Sequence, residues 1–193
     1  MNEYNHLSLQ EFRDLLTAGN LLNFRLIYFI FSASVLVFGF ILILFQNNVS
    51  ISRTRTGFDT QLLNILTIVN LTLAAGVCIV TAWLHGFILR SQLVEKAVPL
   101  SPYGTGREAR CMYKIYIATV IRAAGWEGAA LFGLIVCLLG IIEDVFAANP
   151  IYWINLMPAA VFLMFAVFTF PTRARLEGVF QKHFGDPYLY AEL

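Results

Sequence analysis

Residues 115–143, IYIATVIRAAGWEGAALFGLIVCLLGIIE, form the stretch that decides the fold. A membrane-spanning helix needs roughly 20 mostly apolar residues at a rise of about 1.5 Å each, and this stretch exceeds that length. It nevertheless carries two charged residues, Arg122 and Glu127. A charge near the bilayer centre costs about 2.5–3.5 kcal/mol on insertion scales, so another helix, a partner or water usually offsets it. The stretch therefore predicts a spanning helix that lipid alone does not surround.

Small residues in the same stretch predict close contacts with other helices. Gly125, Ala129 and Gly133 recur every four residues and so share one face of the helix. Ala124 and Gly128 form a second small pair on a neighbouring face. Because small side chains let the backbones of membrane helices approach closely, we expect this helix inside a bundle, with neighbours on more than one side.

Glu127 is the main candidate for a functional site. The step from Arg122 to Glu127 turns an ideal helix by about 140°, so the two do not form a same-face ion pair. Arg122 can snorkel towards the end of the span near Lys114, but Glu127 lies near the middle of the apolar run. Its carboxyl group must be protonated, paired or exposed to water. With Asn70 of the second apolar run as a possible partner, Glu127, Arg122 and Asn70 form a candidate ion or proton site.

The composition is that of an integral membrane protein. Of the 193 residues, 59% are hydrophobic and 13% charged, whereas a soluble domain has about 45–50% apolar and 25% charged residues. The net charge is only +1. A nucleic-acid partner is not expected, because such a partner requires a strongly basic surface.

The sequence contains no pattern typical of a metal, cofactor or catalytic site. The three cysteines, Cys78, Cys111 and Cys137, are spread singly along the chain, as expected of small core residues rather than disulfides or metal ligands. A nucleophile paired with a base, a metal-binding cluster and a cofactor loop are all missing from the pattern. We therefore expect no cofactor, no metal and no enzymatic activity.

Four apolar runs predict the architecture. Spanning helices are expected at about 22–45, 61–89, 115–142 and 151–170. We expect an all-α fold, a four-transmembrane-helix bundle formed by residues 1–193 as one integral membrane domain. Asn149 followed by Pro150 predicts the start of the fourth helix, a capping side chain followed by a first-turn proline. Pro158 predicts a kink within that helix.

Short amphipathic helices are expected at both termini. Ser8 and Glu11 have capping-box spacing, and the apolar residues that follow share one face as far as Gly19. This first helix either lies on the membrane surface or packs under the bundle. Near the other end, apolar residues recur at helical spacing before Gly185, and the series is Leu176, Val179, Phe180, His183 and Phe184.

The distribution of positive charge predicts the orientation. Ten lysines and arginines lie in the two terminal segments and the long second loop, against only Arg53 and Arg55 on the opposite side. The positive-inside rule then puts both termini in the cytoplasm.

The second half of the chain resembles a known kind of protein. Ile121-Arg122, the segment 127–134 (EGAALFGL) and Pro171-Thr172 resemble an uncharacterised family of small four-span membrane proteins common in Bacteroidetes. The resemblance covers about the last 70 residues. It implies four spans in a bacterial inner membrane and no particular activity.

Two shorter segments resemble other families. Glu127 with 130–134 (ALFGL) looks like the carboxylate helix of rotary ATPase proteolipid subunits, which implies that Glu127 carries an ion. The glycine-repeat helix and the polar turn of that family are missing here. Residues 175–177 and 184–188 together with Tyr190 are similar to the C-terminal stretch of membrane methyltransferases of the isoprenylcysteine type, without their cofactor-binding motif.

Three functions follow from these observations. The first, which we adopt, is a structural or accessory component of a membrane complex, in contact with lipid and with other subunits or a second copy. The second is a proton or cation pathway that uses Glu127, with Arg122 tuning it. The third is a membrane-embedded transferase.

Overall fold

A computed structural model describes residues 8–48, 60–90, 101–104 and 106–184. Within these ranges the chain is all-α, and the predicted fold class of a four-helix membrane bundle is confirmed. The helices are α1 (Leu9–Leu15), α2 (Ala18–Asn48), α3 (Thr60–Arg90), α4 (Arg107–Ile142), α5 (Val145–Ala148), a 3₁₀ helix (Pro150–Leu156), α6 (Met157–Phe168) and α7 (Arg173–Phe184).

In the described part of the chain, four helical segments are long and apolar enough to cross a membrane, so the chain is a multi-pass membrane protein. They are Ala18–Asn47, Thr60–Arg90, Arg107–Ile142 and Pro150–Phe168. The arginines of the first loop, most of the second loop and the predicted helix stop at Gly185 lie outside the described residues.

The start of α1 follows the sequence pattern, but its end does not. Ser8 Oγ accepts a hydrogen bond of 3.3 Å from the Glu11 amide, as the capping spacing predicts. The predicted end at Gly19 is wrong, because Gly19 lies in the first turn of α2. Thr17 Oγ1 accepts a hydrogen bond of 3.2 Å from the Asn20 amide, which caps α2 earlier than expected.

The chain divides into two compact units. Unit 1 comprises Met1–Ile27, Ala82–Arg122 and Phe170–Leu193, and unit 2 comprises Tyr28–Thr81 and Ala123–Thr169.

Unit 1 buries the apolar faces of both terminal helices. Phe12 of α1 stacks on Phe180 of α7, with ring centroids 4.1 Å apart and ring planes inclined by 14°. Both rings belong to a core that also contains Phe24, Met112 and Ile115. Of the two alternatives left open for α1, the structure has the packed one, since this apolar face contacts protein.

Unit 2 has its core around the second half of α4. The buried hydrophobic residues of α4 here are Ala123, Trp126, Ala129, Ala130, Leu134, Val136, Cys137 and Ile141. Half of the residues in the apolar window of α4 are buried, against 17% in the windows of α2 and α3. This agrees with the expectation that α4 is an interior helix, because its small residues admit neighbours.

Candidate functional site

A ladder of polar side chains joins α3 to the first half of the fourth span, inside unit 2. Tyr152 Oη donates a hydrogen bond of 2.7 Å to Asn64 Oδ1. Asn155 Nδ2 donates one of 3.0 Å to Thr67 Oγ1, and Asn70 Nδ2 donates one of 3.0 Å to Asn155 Oδ1. We call these five residues the polar ladder. Asn70 and Asn155 are fully buried.

The local sequence explains why Tyr152 and Asn155 of the polar ladder lie on the same face of their helix. Asn149 Oδ1 accepts a hydrogen bond of 3.2 Å from the Ile151 amide, so the predicted cap is confirmed, with Pro150 in the first turn. The segment that follows is a 3₁₀ helix, in which side chains three residues apart are eclipsed. Tyr152 and Asn155 therefore point the same way. The winding becomes α-helical at Met157, beside the proline at which the sequence predicted a kink.

Gly133 of α4 packs directly against two residues of the polar ladder. A Cβ atom at Gly133 would clash with the backbone oxygen of Asn155 and lie only 3.0 Å from Asn70 Nδ2. Only glycine fits this position without moving backbone, because a contact that short is not seen for real Cβ atoms. The polar ladder can therefore pack this closely against α4 only because residue 133 is glycine.

The other small residues of α4 divide between two environments. A Cβ atom at Gly125 would lie 2.7 Å from Thr81 Cγ2 of α3, and Ala129 is only 1% exposed. Both residues, like Gly133, lie on a packed face of unit 2. Gly128 lies on an exposed face, and a Cβ atom there would meet nothing within 4 Å. Among the described residues, no neighbour makes the close contact expected at Gly128.

The candidate residues Glu127 and Asn70 have different partners. Asn70 bonds to Asn155, as described above. Glu127, which is partly buried, forms a hydrogen bond with Ser34 Oγ of α2. Arg122, the third candidate, lies at the end of a segment of unit 1, whereas Glu127 and Asn70 belong to unit 2.

The contact between Glu127 and Ser34 has a specific chemical requirement. Ser34 Oγ also lies 2.7 Å from the backbone oxygen of Phe31, one turn earlier in α2. A serine hydroxyl carries one hydrogen and two lone pairs, and a carbonyl oxygen can only accept. If the hydroxyl donates to Phe31, the second bond needs a proton on the Glu127 carboxyl, which then donates to Ser34 Oγ. With Ser34 Oγ as the donor to Glu127 Oε1, the same hydrogen is not available to the Phe31 oxygen, so the two contacts compete for one hydroxyl hydrogen.

A groove of about 380 Å³ lies elsewhere in unit 2. It is lined mainly by apolar residues of α2, such as Val35 and Phe40, and by Trp153 and Leu163 of the fourth span. The lining drawn from the described residues includes neither Glu127 nor Asn70. The groove therefore lies apart from the candidate carboxyl group.

Unit 1 contains an ion-pair cluster that the sequence patterns did not predict. The Glu177 carboxylate accepts hydrogen bonds from Arg13 Nε at 3.1 Å and from Arg173 Nε at 3.2 Å. Arg173 also donates from Nη2 to the backbone oxygen of Arg13, at 3.2 Å. This cluster holds α7 against α1 beside the stacked phenylalanines. The i, i+4 spacing of Arg173 and Glu177 was the only local signal of it.

His183 and Tyr103 of unit 1, which lie outside the spans, have shifted pKa values. Burial lowers the pKa of His183 below its ordinary value, and the charges of Lys182 and Arg90 lower it further. Burial raises the pKa of Tyr103 to about 12, with a smaller contribution from Tyr116 and then Tyr113. Burial thus disfavours the charged form of each of these two groups.

The sequence patterns predicted Asn70 as a candidate site residue but neither its partner Asn155 nor Tyr152. The sequence did contain a pattern that indicates this network, because the polar residues Asn64, Thr67 and Asn70 lie on one face of α3. Comparison with protein families, curated proteins and solved structures found no match for this chain.

Proposed function

We propose that this chain is a structural or accessory component of a membrane complex. The observation that carries the proposal is the open face of α4 at Gly128, which lies next to Glu127 in the best-buried of the long helices. Small residues at a helix surface allow a second helix to approach closely. We infer that a helix of another subunit, or of a second copy, packs on this face.

The exposure of Glu127 supports the same proposal. Its side chain is only partly buried in unit 2, and Ser34 is its hydrogen-bonding partner among the described residues. A polar group that faces hydrocarbon is costly, even when it is uncharged. A partner helix on the Gly128 face would cover the carboxyl group and could supply a second hydrogen bond.

The polar ladder supports a structural role rather than a pathway. Its side chains are bonded to one another, and Asn155 alone bonds to Thr67, Asn70 and the backbone oxygen of Tyr152. Buried hydrogen-bond networks hold helices in a single arrangement, and in this one only Asn70 Oδ1 has no hydrogen-bond partner among the described residues. A conducting path would instead need polar groups that face water along the span.

The membrane and the orientation are part of the proposal. The split of ten positive residues against two supports cytoplasmic termini, and the family resemblance of the second half supports a bacterial inner membrane. The lipid bilayer surrounds the exposed apolar faces of α2 and α3, such as those at Phe29 and Ile79.

A photoreactive amino acid at Gly128 tests the proposal in native membranes. We expect crosslinks to one membrane protein, identified by mass spectrometry and confirmed by reciprocal purification, or to a second copy of the chain. The matched control is the same probe at Ile79, which is 71% exposed and faces lipid in this proposal. A bulky Gly128→Trp change should abolish copurification of that protein. Lipid adducts alone at both positions, or copurification unaffected by Gly128→Trp, would contradict the proposal.

Proton or cation translocation is a second candidate, favoured by the bonding at Ser34. Ser34 Oγ has one hydrogen for two acceptors, the Phe31 oxygen and Glu127 Oε1, so a proton on Glu127 would satisfy both contacts, and an ion-carrying carboxyl needs such a proton at one stage. The test is proton flux in liposomes that contain the purified chain. Flux that is lost in Glu127→Gln and kept in Asn70→Ala would support translocation, and the absence of flux above empty liposomes would exclude it.

A further inference from the structure

Two arginines of unit 1 converge on the turn that follows the fourth span. Arg25 Nε of α2 donates to the backbone oxygen of Pro171 at 3.5 Å, and its Cζ atom lies 5.9 Å from the centre of the Phe170 ring. Arg175 Nη1 of α7 donates to the backbone oxygen of Phe170 at 3.3 Å. Both guanidinium groups therefore lie at one turn, although the two residues are far apart in sequence.

The turn carries an excess of positive charge. Arg13 and Arg173 share the Glu177 carboxylate in the neighbouring ion-pair cluster. Arg25 and Arg175 bond to backbone oxygens, which orient a guanidinium group without neutralising it. Both side chains are exposed, and within the described residues neither is paired with a carboxylate. Each keeps further N–H donors for an anion, because a guanidinium group has five.

The depth of this turn in the membrane is set by the fourth span. Pro150–Phe168 has 19 residues, a length of roughly 30 Å, which matches the hydrocarbon core of a bilayer. Phe170 lies two residues after the end of that span, so the turn lies where the core meets the headgroups. Lipid phosphates lie at this level, and arginine binds phosphate through two parallel hydrogen bonds.

We propose that Arg25 and Arg175 form a binding site for the phosphate of an anionic phospholipid. Backbone oxygens and the Phe170 ring hold the two guanidinium groups at the interface, with the N-terminus of α7 beside them. Thr172 Oγ1 accepts a hydrogen bond of 3.3 Å from the Arg175 amide there and so caps the helix. The bound lipid would tie α2 to α7 at the membrane surface. This proposal is independent of the partner face at Gly128.

Native mass spectrometry of the purified chain tests the site. The parent protein is incubated with equal amounts of phosphatidylglycerol and phosphatidylcholine, and the bound lipids are counted. We expect strong enrichment of phosphatidylglycerol in the first bound lipid. Each arginine at a membrane surface changes the affinity for anionic lipid about fivefold. Arg25→Gln and Arg175→Gln should therefore each reduce the enrichment by about that factor.

Lys182→Gln is the matched control, because it removes one exposed positive charge from α7 at a distance from the turn. It should leave the enrichment unchanged. Arg25→Lys and Arg175→Lys keep the charge but lose the planar fork, and each should bind less phosphatidylglycerol than the parent. Both lysine variants keep a cation at the turn and so remain testable if the glutamine variants do not fold.

Three results would overturn the proposal. The first is equal retention of the two lipids by the parent protein. The second is an equal loss of enrichment in Lys182→Gln, which would indicate an unspecific effect of charge. The third is displacement of phosphatidylglycerol by millimolar inorganic phosphate, which would identify a site for free phosphate instead.

Discussion

Asn70 Nδ2 donates a hydrogen bond of 3.0 Å to Oδ1 of Asn155, between two side chains that are fully buried in unit 2. The bond connects the middle of α3 to the 3₁₀ half of the fourth span. Hydrogen bonds between membrane helices contribute about 0.6–2 kcal/mol each. The ladder therefore makes a measurable contribution to the stability of unit 2.

Asn70→Ala and Asn155→Ala should each destabilise the protein, and their effects should not add. We expect a coupling energy of about 0.6–2 kcal/mol from unfolding in mixed detergent, because each change removes the partner of the other. Asn70→Ala combined with Thr169→Val is the control pair, since Thr169 bonds to Tyr28 and Phe165 instead. If the coupling energy between Asn70→Ala and Asn155→Ala is no larger than that of the control pair, the hydrogen bond between Asn70 and Asn155 is not formed.

Gly133→Ala and Gly128→Ala should have opposite outcomes. The methyl group at Gly133 would clash with the Asn155 oxygen and Asn70, and overpacking costs about 1–3 kcal/mol. Gly128→Ala meets open space and should be neutral or stabilise the helix by up to about 1 kcal/mol. Melting temperatures in detergent compare the two. Equal effects would show that the face of α4 has been assigned wrongly.

Two substitutions of Glu127 should show whether the size of its side chain or its hydrogen bond to Ser34 stabilises the protein. Glu127→Gln keeps an N–H donor for Ser34 Oγ and should change the free energy of unfolding little. Glu127→Leu loses the interhelical bond and should cost about 0.6–2 kcal/mol. A hydrophobic carbodiimide, which reacts with protonated carboxyl groups, should label the parent but not Glu127→Gln. A folded parent that is not labelled at any pH would argue against a protonated, accessible carboxyl group.

Acidification should weaken unit 1 through His183. Its pKa is lowered in the folded protein, by burial first and then by Lys182 and Arg90, so the unfolded chain binds a proton more readily. Stability should therefore fall as the pH drops below about 6.5, the ordinary value for histidine. Unfolding between pH 7.5 and 5 measures this slope, and His183→Gln should make it shallower. An unchanged slope in that variant would assign the acid sensitivity to other groups.

Single cysteines test the proposed topology. Cysteines introduced at Ser52 and Ser101 should react with a membrane-impermeant reagent from opposite faces of the membrane, because the positive-inside rule puts the two loops on opposite sides. Ser52 lies outside the described residues, and Ser101 lies in the second loop. Labelling of both from the same face would contradict four spans with cytoplasmic termini.

Features that depend on neighbours in the chain could be predicted from the sequence. Hydropathy and length identified the four spans, because the cost of exposing polar backbone to lipid applies to each segment separately. The caps at Ser8 and Asn149 were also correct, since each bonds to an amide within three residues. The prediction that α1 ends at Gly19 was wrong, because Thr17 caps the next helix and Gly19 already lies within that helix.

Other features were decided only by the tertiary structure, because they depend on how each helix is rotated about its axis. Gly128 and Gly133 are alike in sequence, yet one faces open space and the other touches Asn155. Asn70 pairs with Asn155, and Glu127 pairs with Ser34, across long separations in sequence. A periodic pattern identifies the faces of a helix but not which neighbour each face meets. The partners of buried polar groups follow from packing, in which each helix constrains the others.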